Sequence, residues 1–351
     1  MIDFRYHIVS LVAVFLALAT GILLGAGPLQ EPIQGQLEGR AEALRDDQQQ
    51  LREANGELQA RVQMGDAFTS EVAAALVGTQ LSGRRVVLVT LPGVDDRLRE
   101  ATEASLASAG AVVSGRVGIE PDLFDPDRLA EASEVIDALA EPTVPAPELR
   151  VAAALAGSIV TTAVATLGPA SAELAPATPA ADPATAVPAA SPQPVTPAGE
   201  PDEQAAAILT GLTELGVINV DGEPAARATV AVVLAPGVPQ EDATSATTPP
   251  PEQRDTVLLP LMSQLASAGD GVVLAGGTRS VAGGGFVAAV REDGSLDGAV
   301  STVDVAETPQ GQVAMLLAII EQERGGAGDY GAASGVERVL PTLDPALAPT
   351  P

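Results

Sequence analysis

The chain has 351 residues, 46 of them acidic against 18 basic, a formal net charge of −28, one His and no Cys. So acidic a protein offers no cationic stripe to displace the counterions of a nucleic acid, and that partner class is excluded. Without thiols there is no disulfide scaffold, iron–sulfur centre or Cys-based zinc site, and a single imidazole cannot make a two-histidine metal motif.

Residues 1–7 form a short polar tail, and from Ile8 to Gln30 no residue is charged. At about 1.5 Å per residue, some 20 such residues span roughly 30 Å, the thickness of a bilayer's hydrocarbon core. The run predicts a single transmembrane helix over residues 8–27, with membrane lipid as its first partner. A cleavable signal peptide shares the layout of an Arg-bearing start, an apolar run and the small residues 25–27. Helix-compatible sequence from Leu29 to Val77 favours an uncleaved anchor. Arg5 and the terminal amine on one side face Arg40 and Arg45 on the other, so the count of positive charges does not orient the helix. A seven-residue tail fits the cytoplasmic side, which places the C-terminal head outside the cytoplasm.

Residues 28–78 read as a coiled-coil stalk. Leu37, Leu44, Leu51 and Leu58 recur every seven residues, and if they hold d positions then Ala41, Gln48, Asn55 and Val62 hold a. A buried Asn at a costs stability but pairs with its own copy across a parallel two-stranded coil. The expected homodimer interface is therefore Leu37, Leu44, Leu51, Asn55, Leu58 and Val62. The alternative is an amphipathic helix packed on its own domain.

Beyond the stalk, strand-like and helix-like stretches alternate. Val86–Leu91 is a β-branched run, followed by a turn, a helical pattern from Arg97 to Ala109 and a strand from Ala111 to Val117. Helices are expected at Asp127–Ala140, Glu148–Leu167, Asp202–Leu215, Asp255–Ala268 and Pro309–Glu323. Strands are expected at Val217–Val220, Thr229–Leu234, Gly271–Ala275 and Val300–Val305. The fold class is α/β: a doubly wound, mostly parallel sheet in two parts, residues 84–167 and 202–323. Residues 168–201 carry nine Pro among 34 residues and read as a disordered Pro/Ala-rich insertion. Pro236–Gln253 reads as a mobile loop, and residues 324–351 as a loose tail.

In open α/β sheets ligands sit beyond the carboxyl ends of the strands, which singles out Asp95, Asp96, Gly276, Gly277 and Asp304. Asp95 and Asp96 have the chemistry to bind a cation or to work as acid and base. An Asp pair in that place more commonly caps the following helix. Gly276–Gly285 matches neither a P-loop nor a dinucleotide fingerprint, and a flexible turn is the simpler reading. His7, expected at headgroup depth, completes the candidate metal ligands with Asp95, Asp96 and Asp304. No cofactor is evident, and the chain is read as a non-enzyme.

Soft metal ions prefer thiolate and thioether ligands and borderline ones imidazole, whereas this chain offers only His7 and the scattered Met1, Met64, Met262 and Met315. A membrane β-barrel needs aromatic girdles, and the aromatic residues are only Phe4, Tyr6, Phe15, Phe68, Phe124, Phe286 and Tyr330.

The opening MIDFRYHIVSLVAVFLALATGILLG (residues 1–25), the helix after it and the later VSTVDVAETP (residues 300–309) resemble the actinobacterial MctB family, mycobacterial copper transport protein B. The resemblance implies an envelope protein, proposed in that family to be a pore-forming outer-membrane component that limits copper accumulation. Copper as a ligand or cargo enters by this resemblance alone, as does the outer membrane; a helical anchor by itself favours the inner one. The competing expectation is a non-enzymatic coiled-coil scaffold in the envelope that recruits a cell-wall or cell-division protein.

Overall fold

The structure, a computed structural model, describes residues 4–25, 30–140, 144, 146–162, 201–238, 249–333 and 335–342. The expected insertion at 168–201 lies almost wholly outside the described residues, as does 239–248 of the loop expected at 236–253. The chain divides into two units, Met1–Ala67 and Phe68–Pro351.

The first unit holds α1 (Phe4–Gly25) and most of α2 (Gln30–Val77). α1 is 22 residues long with a mean hydropathy of 2.6 and none of its residues buried. Among the described residues it is the one helix long and apolar enough to cross a membrane. α2 is a single helix of 48 residues. Leu44, Leu51, Leu58 and Val62 are 58–69% exposed along it, and Asn55 is exposed with them. The pairing expected of that seam is not part of a single chain.

The second unit is a three-layer α/β head. Its seven-stranded sheet has the order β3-β2-β1-β4-β5-β6-β7. The strands are β1 (Arg85–Thr90), β2 (Val112–Ile119), β3 (Ile218–Gly222), β4 (Val230–Ala235), β5 (Gly271–Gly276), β6 (Ser301–Val303) and β7 (Asp329–Tyr330). All neighbours are parallel except β2 and β3, which run antiparallel through pairs such as Val117 with Val220. Helices cover both faces, which is why β1 reads as a continuous apolar run instead of an alternating one. Val87 and Val89 enter one core, with α4 (Pro126–Leu139), α5 (Pro147–Ile159), α6 (Glu203–Glu214), α7 (Pro251–Ala268) and α8 (Phe286–Glu292). Val86 and Leu88 enter the other, with α3 (Asp96–Ser108) and α9 (Pro309–Gln322). Ala73 and Val77, at the end of α2, pack into this second core.

Three expectations are corrected. The helix expected to run to Leu167 stops at Ile159, because Val160 leaves it to bridge Ala228, with Thr161 N donating to Ala228 O at 2.8 Å and Ala228 N to Ile159 O at 2.8 Å. The Gly-rich stretch 276–285 is not one flexible turn: it tightens into a single 3₁₀ turn at Thr278–Val281 and leads into α8, which the sequence did not announce. The tail expected to be loose from residue 324 instead supplies β7, whose Tyr330 is 2% exposed. Two residues between Gly-rich flanks carry no readable period, so only the tertiary pairing reveals the strand.

Candidate functional site

The sheet order reverses at β1, which has β2 on one side and β4 on the other, both parallel to it. At such a switch point the loops leaving the two strands depart toward opposite faces and open a crevice beyond the strand ends. Here the loop after β1 turns at Gly93, whose φ of +86° a side chain would strain. Leu91 N donates to Leu234 O at 3.0 Å, so β1 and β4 remain joined up to the rim.

Two hollows lie along this edge. One, of about 750 Å³, is lined by the β1–α3 turn, the ends of β2 and β3, and Pro236 and Gly237 after β4. Its neighbour, of about 690 Å³, shares Gly93, Pro236 and Gly237 with it and extends past α3 to Gly277, Thr278, Arg279 and Glu307. The wall of the first is a chain of charges. Arg99 Nη1 and Arg116 Nη1 both donate to Glu103 Oε1, at 3.2 and 3.0 Å. Arg99 Nη2 reaches Asp96 at 3.1 Å, and Arg116 Nη2 donates to Asp221. The hydrogen bond that Arg99 donates to Asp96, joined by that to Glu103, raises the pKa of the Arg99 guanidinium against the opposing effect of its burial.

The sequence-nominated residues separate. Asp95 is the N-cap of α3, its Oδ1 accepting from Arg97 N at 2.8 Å, and Asp96 is tied to Arg99. Both line the crevice, in adjoining hollows. Gly277 lines the second hollow, and Thr278 N and Oγ1 there donate to Glu307 Oε1 at 2.8 and 3.0 Å. The backbone turn that a free anion would need is thus held by the protein's own carboxylate.

Asp304 lies elsewhere, 0% exposed at the end of β6. Its Oδ2 accepts from Arg291 Nη1 at 2.9 Å and Ala333 N at 3.2 Å, and its Oδ1 from Ala332 N at 2.8 Å. Arg291 also donates from Nε to Thr302 Oγ1 at 2.7 Å and from Nη2 to Tyr330 O at 3.1 Å. The carboxylate therefore clamps the C-terminal strand to the sheet. Gly331, at φ +133°, passes so close that a Cβ there would sit 2.0 Å from Asp304 Oδ1. His7 is exposed on α1.

Soft metal donors do not converge either. Met262 is buried in the core on one face of the sheet, Met315 in the core on the other, and Met64 is exposed on α2. Among the described residues no three His, Asp or Glu gather in a metal-binding cluster. Thioether or imidazole coordination of copper thus finds no built cage in the described part of the head.

Sequence reasoning located the crevice through the strand ends but missed Arg99, Arg116, Asn219 and Asp221, which build its first hollow. The one available signal was a lone charge, Arg116, inside an otherwise apolar or small strand pattern.

Comparison with known proteins adds a lineage. The profile described as "Copper transport outer membrane protein, MctB" matches residues 1–341. The Copper transporter MctB of Mycobacterium tuberculosis (strain ATCC 25618 / H37Rv) is 25% identical over 352 residues, covering 97% of this chain and 99% of that protein. Its counterpart in Mycobacterium leprae (strain TN) is 25% identical over 344 residues, with the same shares covered.

Proposed function

Because the chain belongs to the MctB family, we propose that it is a membrane-anchored envelope protein acting in copper transport or efflux and copper homeostasis. The observation that carries this reading is the match over nearly the whole chain to relatives named copper transporters. α1 serves as its single membrane span and the head lies outside the cytoplasm. The family's description assigns the outer membrane; a helical span fits the inner one better, since helices satisfy their own backbone within lipid. The protein works without catalysis, a reading supported by the engagement of the crevice carboxylates Asp95, Asp96, Asp221 and Glu307 by guanidinium or backbone donors. Copper is its cargo, and any contact with the described head is made through oxygen donors, since Met262 and Met315 are sealed in separate cores.

The test is copper content per cell, measured by mass spectrometry in a host with and without this protein under copper challenge. Higher copper in its absence is expected. Equal content would overturn the copper reading.

A second reading is favoured by the exposed seam of α2: a parallel homodimeric stalk through Leu37, Leu44, Leu51, Asn55, Leu58 and Val62 that makes the protein a scaffold for an envelope partner. Anchoring two copies in one membrane raises their effective concentration and supports a short coil. Recovery of a stoichiometric partner from cross-linked envelopes, together with unchanged copper content, would favour it over the first.

A further inference from the structure

The crevice at the switch point carries an inference separate from copper handling. Several of its charges are already engaged. Along the first hollow Arg99 pairs with Asp96 and Arg116 with Asp221, both guanidinium groups share Glu103, and Glu120 adds a further carboxylate to the lining. In the second, Asp95 and Glu307 accept from backbone donors. A phosphate entering here would have to separate a guanidinium from its carboxylate and would also face the carboxylate of Glu120, and among the described residues no three carboxylates gather to hold a metal cation.

A hydroxyl group is different, since it donates one hydrogen bond and accepts others. It can use the remaining N–H groups of Arg99 and Arg116 and the remaining lone pairs of Asp221 without separating any pair. Both side chains line the hollow and stay partly exposed, at 27% and 35%, so a ligand there can reach them. Asn219, exposed on β3, adds an amide with both donor and acceptor. Planar groups alternating donor with acceptor along a wall match a ring bearing several neighbouring hydroxyls. The two hollows, of about 750 and 690 Å³, share Gly93, Pro236 and Gly237, so the edge has room for more than one ring.

The geometry points to a saccharide site: the strand-end crevice binds a neutral polyhydroxylated ligand of one or more sugar rings, oriented by Arg99, Arg116, Asn219 and Asp221. This ligand class is independent of the copper reading, and the head can bind glycan whether or not copper content depends on the protein.

The experiment uses the full chain in lipid nanodiscs, avoiding sugar-headed detergents, with saturation-transfer NMR against cellobiose, trehalose and chitobiose, each at millimolar concentration. Inorganic phosphate and copper(II) serve as competitors. Saturation transfer to at least one disaccharide is expected, surviving both competitors and weakened roughly tenfold by Asn219→Ala, the loss of one or two hydrogen bonds. Asn219 is exposed, so that variant leaves the fold intact; Asp221→Asn, which keeps the side chain's shape, gives a second check and should weaken binding as well. Absence of transfer to all three sugars, displacement by phosphate, or binding unchanged in both variants would overturn the proposal.

Discussion

α2 and α9 both carry leucines and dispose of them in opposite ways. Leu44, Leu51 and Leu58 on α2 are 58–69% exposed, whereas Leu316 and Leu317 on α9 are 2–3% exposed. On α9 every residue from Gly311 to Ile320 is buried, so the helix is enclosed on all sides by its own chain. On α2 the apolar residues recur every seven positions and are separated by charged and amide side chains, leaving one narrow stripe instead of an all-round surface. An all-round apolar helix needs a surrounding core, and a heptad stripe needs a second stripe. Burial of the same side chain thus comes from within the chain in one case and is not supplied by the chain in the other.

The comparison breaks first where the head is sealed. Replacing Asp304 with Ala leaves the buried Arg291 guanidinium with only the more distant Asp329 carboxylate, 3.6 Å away, and should cost about 3 kcal/mol of unfolding free energy, read by denaturant titration. Leu317→Ala opens a cavity in α9's surroundings and should cost about 2–5 kcal/mol in the same assay.

On α2 the expectation is inverted. Leu51→Ala with Leu58→Ala should leave unfolding of the head within about 0.5 kcal/mol of the parent while abolishing self-association, measured as mass in nanodiscs or by sedimentation. An unchanged mass would remove the stalk dimer. Because the chain contains no Cys, Asn55→Cys sharpens the test: a parallel, in-register pair should oxidise to a dimer on gels, and a monomer should not.

The smallest effect concerns the end of α9. Burial raises the pKa of Glu323 above its ordinary 4.5, against the attraction of Arg84 2.9 Å away. A carboxyl whose folded pKa is raised gives its full stability below the unfolded value and loses it as pH climbs through the folded one. Stability should therefore decline as pH rises upward from 4.5, and Glu323→Gln should flatten that decline. A profile identical in the variant would assign the pH dependence to another group.

How much of this was legible in the sequence depends on whether a residue's partner lay nearby in the chain. α1, α2 and the β1–α3–β2 unit were readable because hydrophobic period and capping residues such as Asp95 are local signals. The placement of the crevice followed from the alternation of strands and helices. Its chemistry did not: Arg116 meets Asp221 across 105 residues, and nothing near either residue announces the pairing. Asp304 stood out correctly as a strand-end carboxylate, yet its role was hidden because Arg291 lies on the unforeseen α8 and Ala332 beside the unforeseen β7. Those two elements were missed for the same reason, each being too short to show a period of its own.

The Asp304 clamp also sets an order of events in biosynthesis. Ala332 and Ala333 follow Asp304 by 28 and 29 residues, an interval of about 1–6 s at ordinary elongation rates of 5–20 residues per second. Until they emerge, the aspartate has Arg291 alone and the edge of β6 has no neighbour on that side. The nascent head therefore passes through a stage with an open sheet edge, the kind of surface on which chains mispair. A chain released before residue 329 would keep that edge open and reach quality control with an unfinished sheet.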